Sequence, residues 1–320
     1  MKPLGLCLLT SFLLAMPAFS QQAASPAIAF NAEDHPVHLP EGMHLGEVAG
    51  VAVNSKGHVF VYHRGLRTQL LEFDAQGKFL RSIGDDLYGF AFAHVVKIDR
   101  NDNIWCVDEG SNMVIEFNPS GEVVMVLGRK PESVEAPAAG EPSRPPRPEW
   151  FNRPTDVAWD AAGNIYVSDG YGNSRVAKFD KNGDFLKAWG QRGSAPGEFH
   201  LPHTMVIDDA GKIYVGDREN KRIQVFDGNG KFLTQWTNVG APWAICITPG
   251  PHQVLFSSDS DATGHIYKLD LNGNVLGYFG SRGKQAGQFG WVHEMACPSE
   301  ATIYVGEILN WRVQKLALSK

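Results

Sequence analysis

One short pattern recurs along these 320 residues and constrains the fold more than any other feature. An apolar run is followed by an Asp/Gly turn, a second apolar run, a polar loop and a third run. The clearest copy is LPHTMVIDDAGKIYVGDRENKRIQVF (201–226). Aligned on the second run, six lines emerge: HVFVYHRG (58–65), NIWCVDEG (103–110), NIYVSDGYGNSR (164–175), KIYVGDRENKR (212–222), VLFSSDSD (254–261) and TIYVGEILNWR (302–312). Short runs rich in Val, Ile and Tyr, split by Gly/Asp turns, predict antiparallel strands. A Gly-centred turn closes most units, as at Gln76-Gly77, Ser120-Gly121, Asn182-Gly183, Asn229-Gly230 and Asn272-Gly273. A period of about 40 to 50 residues with four strands per unit predicts an all-β fold, a six-bladed β-propeller. One blade cannot hide both of its faces, whereas six stacked radially can.

The remaining segments fit around this ring. Residues 1–20 carry Lys2, an apolar stretch from Leu4 to Met16 and small residues Ala18 and Ser20, which read as a secretory signal cleaved after Ser20. The expected location is therefore secreted or periplasmic, with no membrane span after cleavage. Residues 21–44 are expected to close the ring, with Ala27–Phe30 supplying the strand that the last unit lacks. Residues 45–320 form the propeller. Lys130–Glu149 interrupts it with six prolines that cannot join a ladder. A net charge of −6 without a basic stripe excludes nucleic acid as a partner. Cys106, Cys246 and Cys297 all fall in strand patterns and are expected to be buried, inert thiols. Asp108, Asp169, Asp217 and Asp259 recur at one position and are expected to bind backbone amides in turns. A monomer is expected.

Function is sought where the repeat is broken. The starts of the inner strands align Ala49, His94, Thr155, His203, Trp243 and His293. Histidine occupies every second blade, so three imidazoles converge on the axis at one level. Three neutral His nitrogens with a fourth position open suit a catalytic Zn²⁺. The loops after the second strands lie at the same end and bring Arg64, Tyr171 and Arg218. Two guanidiniums can hold an anion, and positive charge nearby would lower the phenol pKa of Tyr171.

The Asn-x-Arg endings (Asn173-Ser174-Arg175, Asn220-Lys221-Arg222, Asn310-Trp311-Arg312) resemble the NHL repeat of six-bladed propellers. Tyr62-His63-Arg64-Gly65, Pro154-Thr155-Asp156-Val157-Ala158, Ser168-Asp169-Gly170-Tyr171, Pro202-His203 and Asp217-Arg218-Glu219-Asn220 together resemble the lyase half of the peptidylglycine α-amidating enzyme. The resemblance covers roughly residues 45–318. It implies zinc on His94, His203 and His293, a catalytic Tyr171, and Arg64 and Arg218 as site arginines. It also implies calcium at Val51, Val96 and Glu294. Trp291 stands where the family has a methionine beside the substrate, and Asn152 and Gly172 replace a family disulfide. The implied reaction cleaves a peptidyl-α-hydroxyglycine, or a similar α-hydroxy amide, into an amide and glyoxylate. No copper monooxygenase segment precedes the repeats, so the hydroxylated substrate is expected from elsewhere. The alternative is a secreted, non-catalytic NHL propeller that binds peptide or glycan.

Overall fold

The computed structural model describes residues 25–130 and 147–319; the signal segment and the body of the proline-rich insert lie outside them. Among the described residues there is no helix, and strands assemble into six four-stranded sheets arranged as blades. Five blades are sequential meanders whose inner strands are Glu47–Val53, Ala93–Ile98, Asp156–Trp159, Pro202–Ile207 and Pro242–Ile247. The sixth contains Val292–Ser299, Thr302–Glu307 and Arg312–Leu318, and its outer strand is Phe30–Asp34 from the N-terminal segment.

That closing strand lies further along the chain than Ala27–Phe30. Phe30 faces Leu318 and Asp34 faces Gln314 in an antiparallel ladder, while Ala27 bridges Tyr278 of blade five. The shift follows from a charge that a strand pattern does not reveal. Arg312 Nη1 is held by both oxygens of Asp34, which fixes the register at the far end.

Burial explains why the ring closes. Each of six apolar clusters draws side chains from two neighbouring blades. Phe60, Tyr62 and Leu70 of blade one pack with Ile104, Ile115 and Phe117 of blade two, and Val59, Val61 and Phe73 pack the other way onto Tyr304 and Val313 of blade six. Apolar burial yields about 25 cal/mol per Å². A missing blade would expose two such surfaces, so closure stabilises every member.

The repeated acids act as the alignment predicts. Asp217 accepts the His200 amide at 2.7 Å, Asp169 the Asn152 amide at 2.8 Å and Asp108 the Ala91 amide at 2.9 Å. Each ties the end of a second strand to the segment that leads into an inner strand. Two of the cysteines behave otherwise than expected: Cys246 and Cys297 form a disulfide, with Cα atoms 6.0 Å apart. They sit on the inner strands of the neighbouring blades five and six, which lie side by side around the axis. Among the described residues Cys106 keeps a free, buried thiol.

Candidate active site

The hub residues share a backbone device. In five blades the ladder between first and second strands skips a residue: between Val48 and Gly50, Ala93 and Val95, Pro202 and Thr204, Pro242 and Ile245, and Val292 and Glu294. The residues skipped include Ala49, His94, His203, Trp243 and His293. A β-bulge leaves its extra residue unpaired and re-aims the side chain. Here it turns each one out of the blade plane towards the axis.

The three imidazoles meet there. Their ring centroids are 4.6, 4.8 and 5.0 Å apart, close to an equilateral triangle, and one nitrogen from each lies within 4.8 Å of the others. His203 Nδ1 donates to the Trp243 carbonyl at 2.6 Å and His293 Nδ1 to the Ala49 carbonyl at 2.8 Å. A carbonyl can only accept, so both Nδ1 atoms carry the proton and each Nε2 carries a lone pair. Neither ring nitrogen of His94 has a partner among the described residues. Burial holds all three rings neutral: it drives His94 and His203 well below the usual imidazole range and His293 to about 3. A buried, neutral, three-nitrogen set, with the His94 nitrogens unpartnered among the described residues, fits a zinc ion with an open position.

The loops predicted to surround the hub do so. Tyr171 Oη lies 3.3 Å from His203 Nε2. Arg218 stacks over Trp243 at 4.3 Å and stands 5.9 Å from the Tyr171 ring. Arg64 lies over Phe92 and donates from Nε to the Ala93 carbonyl at 2.6 Å, while its buried Nη2 has no hydrogen-bond partner among the described residues. Trp243 stands beside His203 and His293, and Trp291 tilts against Trp243 with ring centroids 5.1 Å apart. Gly172 and Asn152 are adjacent, the glycine amide donating to the Asn152 carbonyl at 3.0 Å.

One expectation reverses. The Tyr171 phenol is raised, because burial and the Glu109 carboxylate outweigh the opposing pull of Arg218 and Arg64. Sequence reasoning missed Glu109. It is nearly fully buried, accepts Arg153 Nε at 2.8 Å and has a carboxylate oxygen 4.0 Å from Arg64 Nη2. It was findable: Glu109 follows Asp108 as Arg218 follows Asp217. Arg153, 4.6 Å over the Tyr171 ring, carried no such signal. Val51, Val96 and Glu294 lie further along the inner strands and line an axial channel of about 330 Å³.

Comparison with known proteins agrees with this architecture. A family model described as a six-bladed β-propeller matches residues 152–239. Peptidyl-glycine α-amidating monooxygenase A of Xenopus laevis is 29% identical over 90% of this chain and 34% of its own length. A probable peptidyl-α-hydroxyglycine α-amidating lyase of Caenorhabditis elegans is 32% identical over 56% of this chain and 55% of its own. Human NHL repeat-containing protein 3 is 33% identical over 65% of this chain and 58% of its own. The chain thus spans about a third of the amidating monooxygenase and just over half of the other two relatives. Virginiamycin B lyase from Staphylococcus aureus shares the fold, with a TM-score of 0.63 at 14% identity over 91% of this chain and all of that one.

Fold and site define the class: a six-bladed β-propeller of NHL-type repeats with three histidines at its hub. Within that class, the chain is a homologue of the peptidyl-α-hydroxyglycine α-amidating lyases.

Proposed function

We propose that the chain is a zinc-dependent lyase that splits a peptidyl-α-hydroxyglycine, or a close α-hydroxy amide, into the peptide amide and glyoxylate. The observation that carries this reading is the hub itself: three neutral imidazoles at one level, a phenol within 3.3 Å of one of them, and an arginine with a buried, unpartnered Nη2. His94, His203 and His293 would hold the ion. Zinc there would supply Lewis acidity for the substrate hydroxyl and positive charge that favours the Tyr171 phenolate.

The protein's own groups do the rest. Arg64 and Arg218 hold the carboxylate that ends in glyoxylate, Arg64 through its spare Nη2. Tyr171 takes the proton from the α-hydroxyl. The oxygen's electron pair forms the aldehyde C=O, the C–N bond breaks, and the amide nitrogen takes up a proton as it leaves. Glu109 keeps Arg153 packed over the phenol and restrains the cationic side of the pocket. Trp243 and Trp291 form an aromatic wall for the substrate residue next to the hydroxyglycine. An exported location suits a chain with a disulfide between blades five and six.

The test is glyoxylate release from α-hydroxyhippurate by purified, zinc-loaded protein, with bound zinc measured in parallel. One zinc per chain with turnover, both lost in His203→Ala, is the expected result. No turnover with zinc restored overturns the reading. A second reading, a non-catalytic binding propeller, draws on the similarity to NHL repeat-containing protein 3, whose name states a repeat and no reaction. Metal analysis separates the two, since a binding scaffold has no reason to hold stoichiometric zinc.

A further inference from the structure

Along the channel from the histidines lies a second polar cluster that the lyase chemistry does not use. Asp156, one residue after the hub position of blade three, is fully buried. Its Oδ2 accepts the Met205 amide at 2.7 Å, Thr204 Oγ1 at 3.2 Å and Lys97 Nζ at 2.8 Å. The same ammonium donates to the Met205 carbonyl at 2.8 Å. Lys97 reaches this point from the inner strand of blade two, and Met205 belongs to blade four. Glu294, one residue after His293 on blade six, is 2% exposed. Lys97, Val96, Val51 and Glu294 line the same channel.

Calcium requires about six to eight oxygen ligands at 2.3–2.6 Å. In this cluster Lys97 already occupies one Asp156 oxygen and the Met205 carbonyl, and a fixed ammonium repels a divalent cation. The residues the family resemblance offers for calcium therefore do not fit that ion here. We infer that Lys97 is a built-in cation that replaces calcium in the channel, tying the inner strands of blades two, three and four together beside Glu294 of blade six. The inference stands apart from the lyase reading, because it concerns neither the hub nor the substrate.

The experiment is calcium analysis and thermal melting of the intact protein, with zinc held constant and calcium absent or at millimolar concentration. Wild-type protein is expected to retain no stoichiometric calcium after dialysis and to melt at the same temperature in both buffers. Lys97→Ala and Lys97→Gln vacate the ammonium position and leave Asp156, Glu294 and the Met205 carbonyl facing one another. Calcium should raise their melting temperatures by a few degrees, because a ligand that binds only the folded state stabilises it. Lys97→Arg keeps the charge and should gain no response. The inference is overturned if wild-type protein holds one calcium per chain or is stabilised by it, or if the folded alanine and glutamine variants gain no calcium response. Should those variants fail to fold, the wild-type measurements decide alone.

Discussion

Replacing Tyr171 by phenylalanine removes a single oxygen from the site and separates chemistry from architecture. The ring stays stacked 4.6 Å from Arg153 and 5.9 Å from Arg218, and it remains 5.6 Å from the His94 ring and 6.0 Å from the His203 ring. The hydroxyl's contact with His203 Nε2 is long, at 3.3 Å. Losing one such bond changes stability by about 1 kcal/mol or less. A general base contributes roughly 10²- to 10⁴-fold. At about 1.36 kcal/mol per decade, its loss raises the barrier by about 3 to 5 kcal/mol. The variant should therefore melt near wild type, retain its zinc and lose turnover in kcat, with KM little changed because both arginines remain. Glyoxylate release from α-hydroxyhippurate under saturating and limiting substrate supplies both constants. A kcat within about threefold of wild type, or a defect confined to KM, would refute the role of Tyr171 as base.

Other perturbations probe the frame. Asp217→Ala leaves Arg222, 4% exposed and bound to Asp217 at 2.8 Å, as a buried charge without its carboxylate; a loss of about 3 to 5 kcal/mol in urea unfolding is expected. The adjacent Arg218 loop should loosen with it, raising KM. His63 is buried and its pKa is lowered to about 4, first by burial. The unfolded chain binds more protons between about pH 4 and 6.5, so this contribution is complete above pH 6.5 and lost as pH falls towards 4. His63→Gln, whose amide oxygen can still accept the Gly46 amide, should reduce the acid-induced fall in melting temperature across that window. Replacing both Cys246 and Cys297 by serine opens a cross-link spanning 51 residues, and loop-closure entropy sets the expected loss at about 4 kcal/mol.

The parts of this fold that sequence discloses are those written locally. Strand runs, Gly-centred turns and the acid after each second strand depend on neighbouring residues, so aligning six lines predicted the blades and the role of Asp217 and its equivalents. The alternation of His94, His203 and His293 was readable for a different reason: a repeat turns sequence register into angular position. The same register held Glu109 in the column of Arg64 and Arg218, where its acidic character hid it from a search for positive charge. Contacts between blades left no such trace. Cys246 meets Cys297 between neighbouring blades and Lys97 meets Met205 across the ring, while Arg153 meets Tyr171 where two loops of blade three fold together. The phenol of Tyr171 shows the limit most clearly. Guanidinium neighbours alone argue for a lowered pKa, but burial and an unseen carboxylate decide the sign.

The blades without a hub histidine complete the site. His293 of blade six donates to the carbonyl of Ala49 in blade one, and His203 of blade four to that of Trp243 in blade five. Each imidazole thus reaches the hub position of the next blade and takes its tautomer from a backbone that carries no ligand. His94 faces Thr155 in the same sense without reaching hydrogen-bond geometry, which leaves its Nδ1 unpartnered. Thr155 is itself held by its hydroxyl, which bonds Ser168 and the Pro202 carbonyl. For His203 and His293, one blade supplies a nitrogen and the next orients it. Alternation spaces the three histidines a third of a turn apart, and the backbone carbonyls at the hub positions of blades one and five set the tautomers of His293 and His203.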